Sequence, residues 1–167
     1  MNIRRLSADD AQAVRAVRLE GLKNHPENFG SAYEEEMAHP IEWWRVRMER
    51  PAGAGFGAWI DGELAGIISV GQEQDIKHRH QGTIGAFYVR PAFRGRGVGD
   101  ALMKAALEEA AKRVEHVTLT VTASNAGAVR LYERNGFMTV GRLVASIRVD
   151  GVDHDEISMH RRVSVSD

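Results

Sequence analysis

The segment Val89-Arg90-Pro91-Ala92-Phe93-Arg94-Gly95-Arg96-Gly97-Val98-Gly99 joins a strand-like run to a helix-like run, and this junction constrains the topology of the whole chain. Upstream, Thr83 to Val89 reads as a strand that stops before Pro91, because a proline biases the residue ahead of it to extended backbone. Downstream, Val98, Ala101, Leu102, Ala105 and Ala106 recur at helical spacing and carry a helix from near Gly97 to about Arg113. Val117-Thr118-Leu119-Thr120-Val121 is rich in β-branched residues and reads as another strand. A strand, a helix and a strand in succession return the chain to the same end of the sheet, which requires a parallel pair.

The flanking sequence has the opposite character. Asp61-Gly62 separates Gly57–Ile60 from Leu64–Val70, and Asp150-Gly151 separates Phe137–Val149 from Val152–His160; both are two-residue hairpin signals. Ile3 to Leu6 is a short strand, and Ser7 to Asp10 supplies capping groups for a helix ending near His25-Pro26. Gln72 to Gln81 reads as a loop. Glu27 to Pro40 has no clear period, and Ile41 to Arg50 is a further helix candidate. Asn125 to Arg134 returns to helical period and closes on Gly136, a natural left-handed cap. The expected class is α+β: a mixed, mostly antiparallel sheet of about seven strands with about four helices. At 167 residues, with 43% hydrophobic and 27% charged side chains, the chain suits one domain over 1–167 with its core in about 3–161.

Several function classes are disfavoured by composition. The chain has no cysteine, so disulfides, thiolate metal sites and a cysteine nucleophile are out. Lys and Arg total 22 against 23 Asp and Glu, a net charge of -1, which provides no global field toward nucleic acid or an anionic membrane. No run has signal-peptide or membrane-spanning length, so cytoplasmic residence is the default expectation. His78 and His80 form His-x-His in a loop with no third ligand in view, and a solvated turn is expected there, not a metal site.

The glycine loop itself suggests an anion. A loop feeding a helix amino terminus presents unpaired N–H groups, the helix dipole favours negative charge there, and Arg94 and Arg96 add to it. A dinucleotide fingerprint would place its last glycine on Asp100, and no Gly-Lys-Ser/Thr follows for a nucleotide-triphosphate loop. Taken alone, the loop leaves a flexible turn as the competing reading.

A second segment narrows the choice. Arg94-x-x-Gly97-x-Gly99 after a strand, followed by Val121-Thr122-Ala123-Ser124-Asn125 and the Leu131-Tyr132…Gly136-Phe137 ending, resembles the two coenzyme-binding motifs of the GNAT superfamily of N-acetyltransferases in their order. The resemblance extends from Ile3 to about Arg161 and implies the acyl-CoA N-acyltransferase-like fold. It implies that backbone groups of Phe87 and Val89 pair with the pantetheine arm of acetyl-CoA, and that Arg94, Gly95, Arg96, Gly97, Val98 and Gly99 hold the pyrophosphate. It further implies that Asn125 binds the arm from the other side and that Tyr132 sits at the thioester sulfur as the catalytic acid. Asn125, Ala128, Val129 and Tyr132 follow helical spacing, so the two polar groups share one face with the small Ala128 between them. On the residues alone, a helix cap is the competing reading of Asn125 and a buried core tyrosine that of Tyr132.

The implied activity is direct transfer of acetyl from acetyl-CoA to a primary amine of a small molecule. A protein amino terminus or lysine is the alternative acceptor, and a non-catalytic coenzyme A sensor is the alternative class. Thr83 stands near where some family members carry a basic glutamate, leaving Glu34, Asp75 and His80 as unassigned candidates for the base. Phe29 and Tyr33 are the expected acceptor-site residues, and Trp43 and Trp44 are either core or an aromatic wall. Glu34-Glu35-Glu36 reads as a solvated face, or as an attractor for a cationic amine. Asp155-Glu156 reads as a polar edge. The resemblance makes a homodimer plausible, and no metal is expected.

Overall fold

Asp61 and Gly62 both take positive φ, 50° and 82°, as do Asp150 and Gly151 at 48° and 78°. Two consecutive positive φ values make the type I′ turn whose twist matches paired strands, so each Asp-Gly closes a hairpin as expected. The first joins β2 (Gly53–Ile60) to β3 (Glu63–Gln72), the second β6 (Met138–Val149) to β7 (Val152–Arg162). With β1 (Asn2–Arg5), β4 (Gln81–Val89) and β5 (His116–Thr122) these form one seven-stranded sheet in the order β1-β2-β3-β4-β5-β7-β6. The β4–β5 pair is parallel and all others are antiparallel. This is a computed structural model, and it describes residues 1–163.

Among the described residues five α-helices cover the sheet: α1 (Ala11–Asn24), α2 (Tyr33–Met37), α3 (Ile41–Met48), α4 (Val98–Ala110) and α5 (Ala126–Arg134). The short α2 lies in the stretch read as irregular. Five residues are too few to show a helical period, and a tertiary contact anchors this turn. Glu36 accepts two hydrogen bonds from the Arg18 guanidinium, at 2.9 and 3.0 Å, and both residues are buried. The acidic run is therefore a solvated face only at Glu34 and Glu35. Gly136 caps α5 at φ 83°, as its position in the sequence requires.

The sheet separates two cores. On one face Leu102, Met103 and Ala106 of α4, with Tyr132 of α5, pack on Val117, Leu119 and Met159. On the other, Val14 and Val17 of α1 and Trp44 of α3 pack on Leu6, Leu64 and Ile67. Trp44 is fully buried core, while Trp43 stacks on His39 with ring centroids 4.0 Å apart.

One irregularity decides where the sheet opens. Ala86 has φ 47°, and the β3–β4 register steps from Ile67↔Tyr88 to Ser69↔Gly85, so β4 carries one residue more than its partner. Such a bulge bends the strand that contains it. β4 pairs with β5 only from Gln81 to Thr83 against His116 to Thr118. Past that point the two strands part, leaving facing backbone edges unpaired.

Candidate active site

The parted strands form the mouth of a cleft of about 980 Å³. Phe87 and Val89 of β4 line one side, Thr120 and Val121 of β5 the other, and the glycine loop closes one end. Gly95 and Gly97 have φ of 72° and 76°, values that a residue with a Cβ adopts at a cost, and Gly97 caps α4. The first helical bond runs from the Ala101 N–H to the Gly97 carbonyl, 3.1 Å, so the N–H groups before it face outward at the positive end of the helix dipole. Gly99 serves packing: a Cβ there would lie 2.7 Å from Leu131 Cδ1, so its absence lets α4 approach α5 closely.

Asp100, which sits awkwardly for a phosphate site on sequence alone, is neutralised. Arg134 donates two hydrogen bonds to it, at 2.8 and 2.9 Å, and Asn135 a third at 2.9 Å. The Arg134 bonds hold its carboxyl below the usual range, with burial opposing them. Arg94 turns back on the strand, donating to the Val89 carbonyl at 2.9 Å, with Nη2 3.4 Å from a ring nitrogen of His25. Arg96 lies outside the cleft lining, its guanidinium over the Phe93 ring at 5.8 Å.

From α5, Asn125, Ala128 and Tyr132 all face the cleft. Asn125 is a helix cap, its Oδ1 accepting from the Ala128 N–H at 3.2 Å, and the amide Nδ2 has no protein acceptor among the described residues. Tyr132 is 7% exposed and its ring lies 6.0 Å from that of Phe87. Its hydroxyl has no protein partner among the described residues, and burial pushes its pKa well up, so it stays protonated at neutral pH.

Sequence reasoning left out a strap across the mouth. The segment from His25 to Phe29 crosses from α1 toward β5, where Thr122 Oγ1 donates to the Glu27 carbonyl at 2.5 Å. Tyr88 also lines the cleft and donates from its hydroxyl to Glu20 at 3.2 Å. Neither carries a local motif, since each depends on partners far along the chain. Of the two residues expected at the acceptor site, Phe29 lines this cleft and Tyr33 does not. Of the candidate bases, Glu34, Asp75 and His80 line neither this cleft nor the second cavity described next.

That second cavity, about 360 Å³, lies among α1, α3 and strands β2 to β4, with Ala86 in its wall. Ala86 and Phe87 are adjacent at the bulge, and each lines a different cavity. The two spaces therefore approach each other where β4 is bent.

The sequence model of the Acetyltransferase (GNAT) family matches residues 19–137, well over half of the chain. The chain belongs to the GNAT acetyltransferase family. This acetyltransferase is 29% identical over 143 residues to the L-amino acid N-acetyltransferase AaaT of Escherichia coli (strain K12), a match covering 83% of each chain. It is 33% identical over 123 residues to the N-alpha-acetyltransferase RimI of Mycobacterium tuberculosis, covering 74% of this chain and 69% of that one. Its fold matches a GNAT superfamily phosphinothricin acetyltransferase of Sinorhizobium meliloti, solved in complex with AcCoA, at a TM-score of 0.85 and 16% identity, covering 98% and 88% of the two chains. It is an enzyme of the acetyltransferase class. Among the described residues no cluster of three or more His, Cys, Asp or Glu is placed to hold a metal ion, His78 and His80 included. No described helix is long and apolar enough to cross a membrane.

Proposed function

We propose that this acetyltransferase moves acetyl from acetyl-CoA directly to a primary amine of a small molecule, with Tyr132 as the acid that protonates the leaving thiolate. One observation carries the reading: the bulge at Ala86 opens β4 from β5, so that the glycine loop, the free strand edges and Tyr132 line one continuous cleft. The cleft suits the coenzyme by shape and donor type. Outward N–H groups at α4 would take the pyrophosphate, the backbone of Phe87 and Val89 one side of the pantetheine arm, and Asn125 Nδ2 the other. The coenzyme supplies the acetyl group as an activated thioester.

The remaining chemistry falls to the chain. A backbone N–H at the bulge, near Phe87, would meet the developing oxyanion, and Tyr132 would donate its proton to sulfur. None of Glu34, Asp75 and His80 lines either cavity, whereas His25 and Glu27 line the cleft; the incoming amine loses its proton through solvent at this cleft, and proximity supplies much of the acceleration. A second cavity of about 360 Å³ is of small-molecule size, which supports a small acceptor. Protein amino-terminal transfer is the second reading, favoured by the relative named RimI.

Tyr132→Phe tests the assignment. Turnover is expected to fall roughly 10²-fold, with acetyl-CoA affinity within about twofold of wild type, read by thiol release and calorimetry. Unchanged turnover would remove Tyr132 as the acid. Thiol release with small amines but not with peptides separates the two acceptor readings.

We also propose a homodimer through the edge strand β6, which exposes Met138, Val140 and Val144 at 67%, 62% and 77%. An apolar, unpaired edge of this kind is commonly covered by another chain. Sedimentation should give twice the 18.5 kDa chain mass; a monomer at micromolar concentration would count against it.

A further inference from the structure

The second cavity differs in character from the coenzyme cleft. Its walls include Leu6, Val14, Trp44, Met48 and Ile67, and its charged lining consists of Arg18, Arg47 and Arg50 with no Asp or Glu. Arg18 is neutralised by its paired hydrogen bonds to Glu36. Arg47 is not neutralised in this way: half-buried, it lies over the Trp43 ring at 4.9 Å and has no carboxylate within 4.0 Å among the described residues. Burial lowers its pKa, and the charges of Arg18 and Arg50 work in the same direction against the partial support of Glu36. A guanidinium withdrawn from water without a partner is stabilised by an entering anion, and its planar fork matches a carboxylate with two parallel hydrogen bonds.

Two features tie this cavity to acetyl transfer. Ala86, in its wall, adjoins Phe87 in the coenzyme cleft. Arg18, also in its wall, lies over the ring of Phe29, which lines that cleft, at 4.9 Å. An acceptor held by Arg47 would meet the thioester where the two cavities adjoin, at Ala86 and Phe87. We infer that the acceptor is a primary amine that also carries a carboxylate and an apolar side chain, with the carboxylate on Arg47 and the side chain against Trp44, Met48 and Ile67.

This rests on the small-molecule transfer proposed above and names its substrate class. In the reaction the amine nitrogen forms the new C–N bond as the C–S bond breaks. One amine proton goes to solvent, and the thiolate takes the Tyr132 proton, which water replaces. A polyamine is the wrong acceptor here, because its cationic groups would face Arg47 and Arg50 with no acid in the lining. The acidic run does not attract a cation into this space, since Glu36 is already committed to Arg18.

The test is calorimetric titration of L-leucine, L-methionine and L-phenylalanine, each against its own amide, into protein saturated with coenzyme A. At least one acid is expected to bind roughly tenfold to hundredfold more tightly than its amide. Arg47→Met should abolish that difference, and Arg47→Lys should keep part of it; coenzyme A titration of each variant reports folding. Equal affinity for every acid and its amide, binding of neither, or an equal loss of both in Arg47→Met would overturn the assignment. Thiol release is read separately. Arg47-dependent binding of an acid without thiol release would uphold the carboxylate site and overturn small-molecule transfer.

Discussion

Gly97→Trp is expected to weaken acetyl-CoA binding by about 10³-fold or more, while the protein still unfolds cooperatively within a few degrees of wild type. Gly97 caps α4 at φ 76°, and a Cβ built there meets nothing within 4 Å, so an added side chain has room. That room lies at the glycine-loop end of the cleft, where N–H groups of α4 point outward and the proposed coenzyme site would hold the pyrophosphate. An indole there excludes the pyrophosphate. Loss of two or three charge-assisted hydrogen bonds, at about 1.5–3 kcal/mol each, accounts for the expected change. The left-handed backbone adds a stability cost of only about 1–2 kcal/mol. Gly97→Ala carries that strain without the bulk and should weaken binding less than about tenfold. Calorimetry of both variants beside thermal unfolding checks this, and a Trp variant that titrates like wild type would remove the loop from the coenzyme site.

Glu36→Ala should cost about 3–5 kcal/mol of stability, the largest effect expected from a single side chain outside the cleft. Glu36 is 5% and Arg18 7% exposed, so truncation leaves a guanidinium buried without its partner. The double variant Arg18→Met/Glu36→Met should lose less than either single truncation, because no charge remains to be solvated. Urea unfolding of the three variants decides it; additive losses would show that the pair is not coupled.

The same pair has a pH signature. Burial pushes the Glu36 carboxyl up, but the hydrogen bonds and charge of Arg18 outweigh that and hold it below the ordinary value of 4.5. Its folded value is thus below its unfolded one. The pair therefore contributes stability above about pH 4.5, and that contribution is lost as pH falls through the folded value. Wild type should lose stability on acidification more steeply than Glu36→Gln. The consequence reaches the site, because the Arg18 guanidinium held by Glu36 lies over Phe29 in the strap across the cleft.

Both hairpins were legible in the sequence because a two-residue turn is a local problem: two positive φ angles in a row favour Asp-Gly wherever the chain places them. The glycine loop was legible for the same reason, with the positive φ of Gly95 and Gly97 and the start of α4 all within a few residues. Asn125, Ala128 and Tyr132 could be placed together because one helix face is set by spacing alone. The short α2 was not legible, since its anchor, Arg18, lies on α1 and the acidic run looks solvated without it. Nor was the neutralisation of Asp100, which depends on Arg134 and Asn135 of the following helix and its cap.

The bulge is the plainest case. Nothing at Ala86 marks a residue about to adopt φ 47°, because alanine has no preference for that region and gains nothing locally from it. The conformation is held by the pairing of β3 on one side and by the diverging β5 on the other, over distances in sequence that no motif spans. By itself, then, the sequence determined the order of the longer elements, the hairpins, the glycine loop at the start of α4 and the family, each a matter of neighbours within a turn or a period. The tertiary structure alone decided that β4 parts from β5, that a strap crosses the gap, and that Arg47, with no carboxylate partner among the described residues, lines a cavity beside it. Those depend on free energy shared between residues that meet only after the chain has folded.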